Sequence, residues 1–390
     1  MPYTTQAYTV HEAGGPIELE DVTIEDVRPG EVLVETVAFS ICATDLKAKA
    51  GKFLLKPAMI LGHEASGIVL EAPGSKKALV PGSKIILTFS SCGTCPTCID
   101  HAPSYCDNLS SLNFSGRRSD GSSAIHDSQG NPLNHFFFGQ SSMARLILAR
   151  ETSLVKLPDD TPIDDLRLFA TLGCGLQTGA GAILNVCNPP ASSTIAILGA
   201  GAVGLSAALA ALTTSPSHII LVDNDARKFQ LVPPSLRPRP SGPQITHIDS
   251  SSLAPRSPSD PIDPLTTALL HATRGKGLTH ALDCVGHPSL IEALVPALAA
   301  RGTAVTVGGG APGAAATVRL LDMLIKGRTW RGTHQGDSEP GEFLGRLIGL
   351  WRKGEWGFDG LVRGYGFEEV RRAVEDLEEA RVVKAMVVVR

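Results

Sequence analysis

The sequence predicts a mixed α/β chain in two parts, a compact β-rich domain and a doubly wound parallel sheet. Three observations carry that prediction. Short β-branched runs between Pro/Gly turns fill the first 90 residues, and from about residue 190 short apolar strands alternate with helices. A glycine fingerprint sits at the first strand–helix junction of the second region. The chain has 390 residues, 43% of them hydrophobic, which is enough for two or three domains with sizeable cores.

Residues 31–38 follow Pro29-Gly30, alternate in part and are rich in β-branched side chains, so they read as a strand. Residues 67–70 and 84–87 read likewise, and their spacing suggests a barrel-like domain. Residues 107–135 are rich in Ser, Asn, Asp and Gly and read as a long surface loop, after which apolar residues return at Phe136, Phe137 and Phe138. In the second region strands are expected at 194–198, 218–222, 245–248, 278–282 and 303–307. Helices are expected at 202–213, 264–273 and 288–299. The Pro- and Ser-rich stretch 233–264 should be irregular, because proline removes a helix donor and clashes with the preceding turn. The tail reads as helices at 340–352 and 367–378 and a closing strand at 382–389.

Thirty-nine acidic residues against 35 basic ones give a net charge of −4, which offers nucleic acid or an anionic membrane no general attraction. No apolar run reaches the roughly 18–20 residues of a membrane span. The first residues show no basic segment followed by an apolar one, so a cytoplasmic protein is expected.

Four of the eight cysteines, Cys92, Cys95, Cys98 and Cys106, lie close together. Two x2 spacings on a tight turn let sulfurs converge on one ion, and four thiolates close a tetrahedral zinc site, which marks a structural one. An iron–sulfur cluster is the chemical rival, but its bacterial signature has a different final spacing. Cys187 and Cys284 sit in apolar surroundings and read as buried, inert thiols.

The fingerprint is Gly199-Ala-Gly201-Ala-Val203-Gly204. Gly199 permits the tight turn, Gly201 lets a pyrophosphate approach the backbone, and Gly204 lets the helix pack against the strand. Val203 belongs to the same cofactor-binding turn, and the helix N-terminus offers free N–H groups to the phosphates. Asp223 ends the next strand, where a carboxylate bonds the adenosine ribose and repels a 2′-phosphate, so NAD is expected over NADP. Arg227 and Lys228 are nearby cations that weaken this preference, and Lys228 is itself placed among the cofactor-binding residues.

Cys42, His63 and Cys174 supply a Cys2His set that would leave a fourth zinc position open, the arrangement of a catalytic site. The gaps between them are long, and spacing alone does not bring them together.

Taken in order, Cys42-x-Thr44-Asp45, Gly62-His63-Glu64-x-x-Gly67, the four-cysteine lobe, Gly173-Cys174-Gly175 and the glycine fingerprint resemble the zinc-dependent medium-chain alcohol dehydrogenases. The residues from Phe138 to Met143, Gly175 to Ala182 and Gly336 to Ser338 look most like their aryl- and benzyl-alcohol branch. The resemblance implies a GroES-like catalytic domain over residues 1–177, with its zinc lobe at about 90–107. It also implies a Rossmann NAD-binding domain at 178–330 and a C-terminal segment, 331–390, that completes the catalytic domain. It implies two zinc ions per chain, the catalytic one held by Cys42, His63 and Cys174. Glu64 would serve as an alternative ligand, and Asp45 would orient His63 through its second nitrogen. Lys384 would lie on the pyrophosphate, and the chain would form a homodimer or homotetramer.

In that reading zinc acidifies a bound alcohol and Thr44 takes its proton. The family's relay often ends on a histidine where this chain has Lys47, so Lys47 or water would finish it, with a simply solvated lysine as the alternative. Phe89 and Phe136 to Phe138 either line an apolar pocket for aryl or allylic primary alcohols and aldehydes or pack the core. An NADP-preferring aldehyde reductase and a non-catalytic nucleotide-binding relative remain the rival readings.

Overall fold

The structure, a computed structural model, describes residues 2–254 and 262–390. It divides into two compact units. The first comprises Met1–Cys174, Glu339–Leu344 and Val362–Arg390, and the second Gly175–Ser338 and Gly345–Leu361. Residues 331–338 and 345–361 therefore group with the nucleotide-type unit rather than with the C-terminal segment of the first.

The first unit is built on two sheets. The larger runs in the order Val362–Gly366, Lys384–Val388, Glu31–Ile41, Ala65–Glu71, Lys84–Leu87 and Leu154–Lys156, with Leu146–Arg150 also pairing with Glu31–Ile41. Glu31–Ile41 is its spine, and only one of its residues is not buried. That burial on both faces explains why its hydrophobic run is nearly continuous rather than alternating. The smaller sheet orders Met59–Ile60, Tyr3–Val10, Glu18–Ile24 and Ile125–Asp127.

The expected loop at 107–135 is a correction. It contains the helix Leu109–Phe114 and the strand Ile125–Asp127. Polar residues, not an apolar stripe, fix it in place. The Asn113 amide is buried and bonds both the N–H and the carbonyl of Ser90. The buried Arg118 guanidinium forks onto Glu31 at 2.7 and 2.8 Å and reaches Glu25 at 2.6 Å.

The second unit carries a wholly parallel sheet in the order Gln244–Asp249, His218–Asp223, Thr194–Leu198, Leu278–Asp283, Leu298–Thr306 and Thr329–Gly332. The helices Ala202–Leu212, Pro264–Ala272 and Pro288–Ala297 fall where their periodicity placed them. Pro296 sits in the last turn of the third, and the chain turns directly into strand Leu298–Thr306. The stretch expected to be irregular holds short turns at Pro234–Leu236 and Ser250–Ser252 around the strand Gln244–Asp249. Part of that stretch, residues 255–261, lies outside the described residues. At the far sheet edge, Thr329–Gly332 is exposed throughout. Just before it, the helix Leu320–Lys326 leaves Leu320, Leu321, Leu324 and Ile325 between 63% and 84% exposed. No helix among the described residues is long and apolar enough to cross a membrane.

Candidate metal centres and dinucleotide site

Sheet register explains how distant residues meet. Phe39 lies opposite Ala65, Ala65 opposite Leu87, and Ala385 opposite Ile41. These strand ends form one row, so the residues flanking them (Cys42, His63, Glu64, Thr88 and Lys384) arrive at one end of the sheet. Donor atoms of Cys42, His63, Glu64 and Cys174 all lie within 4.8 Å of one another.

Asp45 organises two of these ligand segments. It is the third residue of the helix Ala43–Lys49, and its Oδ2 accepts from the N–H of Cys42 at 2.9 Å. Its Oδ1 accepts from the N–H of Gly62 at 3.0 Å and lies 2.9 Å from His63 Nδ1. The ring therefore donates through Nδ1 and presents Nε2 as an acceptor. His63 Nε2 is buried and has no hydrogen-bond partner among the described residues. An orphaned imidazole lone pair among two thiols and a carboxylate fits a divalent metal such as zinc.

The local electrostatics favour a thiolate at Cys42 and charge on the neighbouring ring, a pairing that a bound divalent cation would replace. A hydrogen bond from Cys174 holds the Cys42 thiol well below the usual cysteine value, against burial, which acts the other way. Burial pulls His63 down, but the Asp45 charge and hydrogen bond outweigh it and raise the imidazole well above its ordinary value. Glu64 is raised by burial, with Lys384 opposing.

The Lys384 ammonium is buried and lies 2.7 Å from Glu64 Oε1, while Ser40 donates to Glu64 Oε2 at 2.6 Å. Its strand pairs beside Ile41, and that register brings the side chain to the ligand cluster. Thr44 Oγ1 lies 3.9 Å from Cys42 Sγ, and Lys47 is exposed one helical turn further on. Phe89, Phe136, Phe137 and Phe138 are all buried. Phe138 stacks on the His63 ring at 4.5 Å and Phe137 meets it edge-on at 5.4 Å.

The four-cysteine lobe also converges. Cys92 and Cys98 sulfurs are 3.9 Å apart, and those of Cys95 and Cys106 are 4.0 Å apart. Against burial, which raises it, backbone N–H groups of Thr94 and Cys95 bring the Cys92 thiol down to about 5. Among the described residues the set has four sulfur donors and no fifth group, as a closed structural zinc site requires.

In the second unit Gly199 has φ +101°, a backbone open to glycine at little cost. A Cβ on Gly204 would fall 1.8 Å from the Gly199 carbonyl oxygen, whereas one on Gly201 would project into open space. Open space over that glycine is what close approach of a pyrophosphate needs. Val203 is half-buried in the first turn of the helix Ala202–Leu212. Asp223 is buried and accepts from the N–H of Ala200 at 2.7 Å and of Asp225 at 3.0 Å. Lys228 Nζ lies 3.1 Å from both Asp223 oxygens, and Arg227 forks onto Asp225 at 2.9 and 2.8 Å.

Residues 28–159 match the alcohol dehydrogenase GroES-like domain, and residues 258–348 match the zinc-binding dehydrogenase domain. Geraniol dehydrogenase of Castellaniella defragrans is 35% identical over 99% of this chain and 98% of its own. The chain belongs to the zinc-binding alcohol dehydrogenase family. Two solved structures of the family agree along their whole length. An alcohol dehydrogenase zinc-binding domain protein from Burkholderia ambifaria superposes with TM-score 0.90 at 34% identity, each chain covered completely. Benzyl alcohol dehydrogenase from Acinetobacter calcoaceticus gives 0.88 at 33%, again with complete coverage of both. As a member of the family the chain is an oxidoreductase with a GroES-like and a Rossmann-like unit. In this alcohol dehydrogenase, sequence reasoning missed Ser40, Thr88 and Gln140 around the metal cluster. Gln140 stood inside a quoted motif, but its partners are backbone carbonyls, which leave no mark on residue spacing.

Proposed function

We propose that the chain is a zinc-dependent, NAD-linked dehydrogenase that interconverts primary aryl or allylic alcohols and their aldehydes. The observation that carries this reading is the meeting of Cys42, His63, Glu64 and Cys174 donors within 4.8 Å, with His63 Nε2 orphaned at the centre. Cys42, His63 and Cys174 would hold zinc, which when bound supplies the Lewis acidity that lets an alcohol lose its proton near neutral pH. The nicotinamide supplies the hydride acceptor.

The chain's own groups do the rest. Asp45 fixes the tautomer and pose of His63, and Phe138 packs its ring face. The Thr44 hydroxyl takes the alcohol proton, and Lys47 or water passes it outward. Glu64, balanced by Lys384, keeps a carboxylate behind the ligands. Cys92, Cys95, Cys98 and Cys106 would hold a second, structural zinc.

NAD over NADP is supported by Asp223, which would repel a 2′-phosphate, while Lys228 and Arg227 are each engaged by a carboxylate. The substrate class is supported by the names of the two relatives, whose alcohols are allylic and benzylic. Self-association through the apolar helix Leu320–Lys326 and the open strand Thr329–Gly332 completes the proposal.

Initial rates with benzyl, cinnamyl and geranyl alcohols, NAD and NADP, beside a zinc count, test it. We expect two zinc ions per chain and NAD favoured at least about 10-fold. Equal or better use of NADP would remove the assignment of Asp223. Two bound zincs with no oxidation of any of the three alcohols would favour a non-catalytic relative.

A further inference from the structure

The zinc reading leaves buried polar side chains near the cluster without a role, among them Gln140. Gln140 is completely buried, just after the turn Phe137–Gly139. Its amide nitrogen lies 2.9 Å from the carbonyl oxygen of His63 and 2.9 Å from that of Thr88. A side-chain amide has two hydrogens to give, and both are used here. Thr88 carries the connection further, its hydroxyl donating to the carbonyl of Gly173 at 2.7 Å.

Gly173 immediately precedes Cys174, between the turn Ala170–Leu172 and the helix Gly175–Gly181. It is wedged in place, since a Cβ there would lie 2.2 Å from the Leu87 carbonyl oxygen and 3.2 Å from Glu64 Cα. The backbone at His63 is thus tied to the backbone beside Cys174 by one amide and one hydroxyl. Asp45 makes the matching tie between Cys42 and His63. Between them, the two ties join all three ligand segments.

We infer that Gln140 and Thr88 are positioning residues that hold the His63 and Cys174 segments at the spacing the catalytic metal needs. Gln140 Oε1 is buried without a hydrogen-bond partner among the described residues. An apolar side chain would fill that volume without such a desolvated oxygen, so the amide is kept for what its nitrogen holds. Neither residue is among the converging donors, and the bonds argued here pass through backbone carbonyls. The inference rests on the zinc reading and extends it to how the ligand spacing is set.

The test follows zinc release to a chelator from holoenzyme, with Cys174→Ser marking which release phase belongs to the catalytic cluster. Gln140→Leu removes both donors, Thr88→Val removes the hydroxyl, and Thr88→Ser restores it. We expect the cluster phase to quicken about 10-fold or more in the first two variants and to return to the wild-type rate in the third. The four-cysteine phase should stay constant throughout. Cobalt substituted at the cluster should show shifted visible bands in Gln140→Leu and Thr88→Val. Release rates and cobalt spectra matching wild type would overturn the inference. If Gln140→Leu does not fold, Thr88→Val and its serine rescue decide the matter. A wild-type chain holding a single zinc, or Cys174→Ser retaining both phases, would instead overturn the zinc reading.

Discussion

Single residues in this chain are placed by what they cannot share with water. His135 is completely buried beside Arg117, Arg118 and Arg150. Burial, the largest cause, pushes its imidazole down to about 3, helped by those three positive charges, while the Leu133 carbonyl pulls the other way. The ring is neutral when folded and takes a proton only when unfolded, at pH values below about 6.5. Its folded pKa is depressed, so its contribution is complete above 6.5 and is lost as pH falls towards 3. At about 1.4 kcal/mol per pH unit, roughly 2 kcal/mol is gone by pH 5. A His135→Gln variant has no such proton to gain. Between pH 7 and pH 5 its Tm should fall roughly 2–3 °C less than that of wild type, as followed by circular dichroism. Equal slopes in the two proteins would show that the ring is not the group responsible.

Elements show where the sequence was legible. The junction of strand Thr194–Leu198 with helix Ala202–Leu212 could be read because its signals are local: a strand, three glycines and a helix in one short span. Gly204 tests that reading. Its missing Cβ is the only reason the helix can pass the Gly199 carbonyl, 1.8 Å from where the atom would be. Gly204→Ala should weaken NADH binding about 10-fold or more by fluorescence titration and leave the zinc content unchanged. Unaltered NADH affinity would mean that the turn relaxes freely. The strands Tyr3–Val10 and Glu18–Ile24 escaped notice because Thr, Gln, Glu and Asp interrupt their apolar faces. The segment after residue 107 was read as loop because buried Asn113 and Arg118 anchor it, and polar residues ordinarily mark surface. The ligand types Cys42, His63 and Cys174 were legible, but their meeting was not. It depends on the pairings of Phe39 with Ala65 and of Ala65 with Leu87, which are facts of register. The contact of Lys384 with Glu64 was hidden for the same reason, since strand register delivers it.

At the scale of the whole molecule, the second unit ends its sheet on a strand that, among the described residues, pairs on one side only. Thr329–Gly332 has an outer row of peptide groups, and such edges are normally blunted with charge, proline or a covering element. Arg331 is the one charged side chain on it. The helix just before it instead displays Leu320, Leu321, Leu324 and Ile325, and Trp330 on the strand is 39% exposed. Exposed apolar side chains near an open edge are costly in water and are a feature of protein–protein faces. In the proposed self-association a second copy covers them. Two identical edges related by a two-fold axis can pair antiparallel, each supplying the donors the other lacks, and the helices then meet their own counterparts. A stable dimer buries about 800 Å² per partner, which needs the helix as well as the four-residue strand. Light scattering on the eluting protein should therefore give a multiple of the 40.9 kDa chain mass. Leu320→Glu with Leu324→Lys, both on exposed positions, should shift that mass down to a monomer or to half while the zinc content stays that of wild type. A wild-type monomer at micromolar concentration, or an assembly untouched by the double substitution, would place the interface elsewhere or deny it altogether.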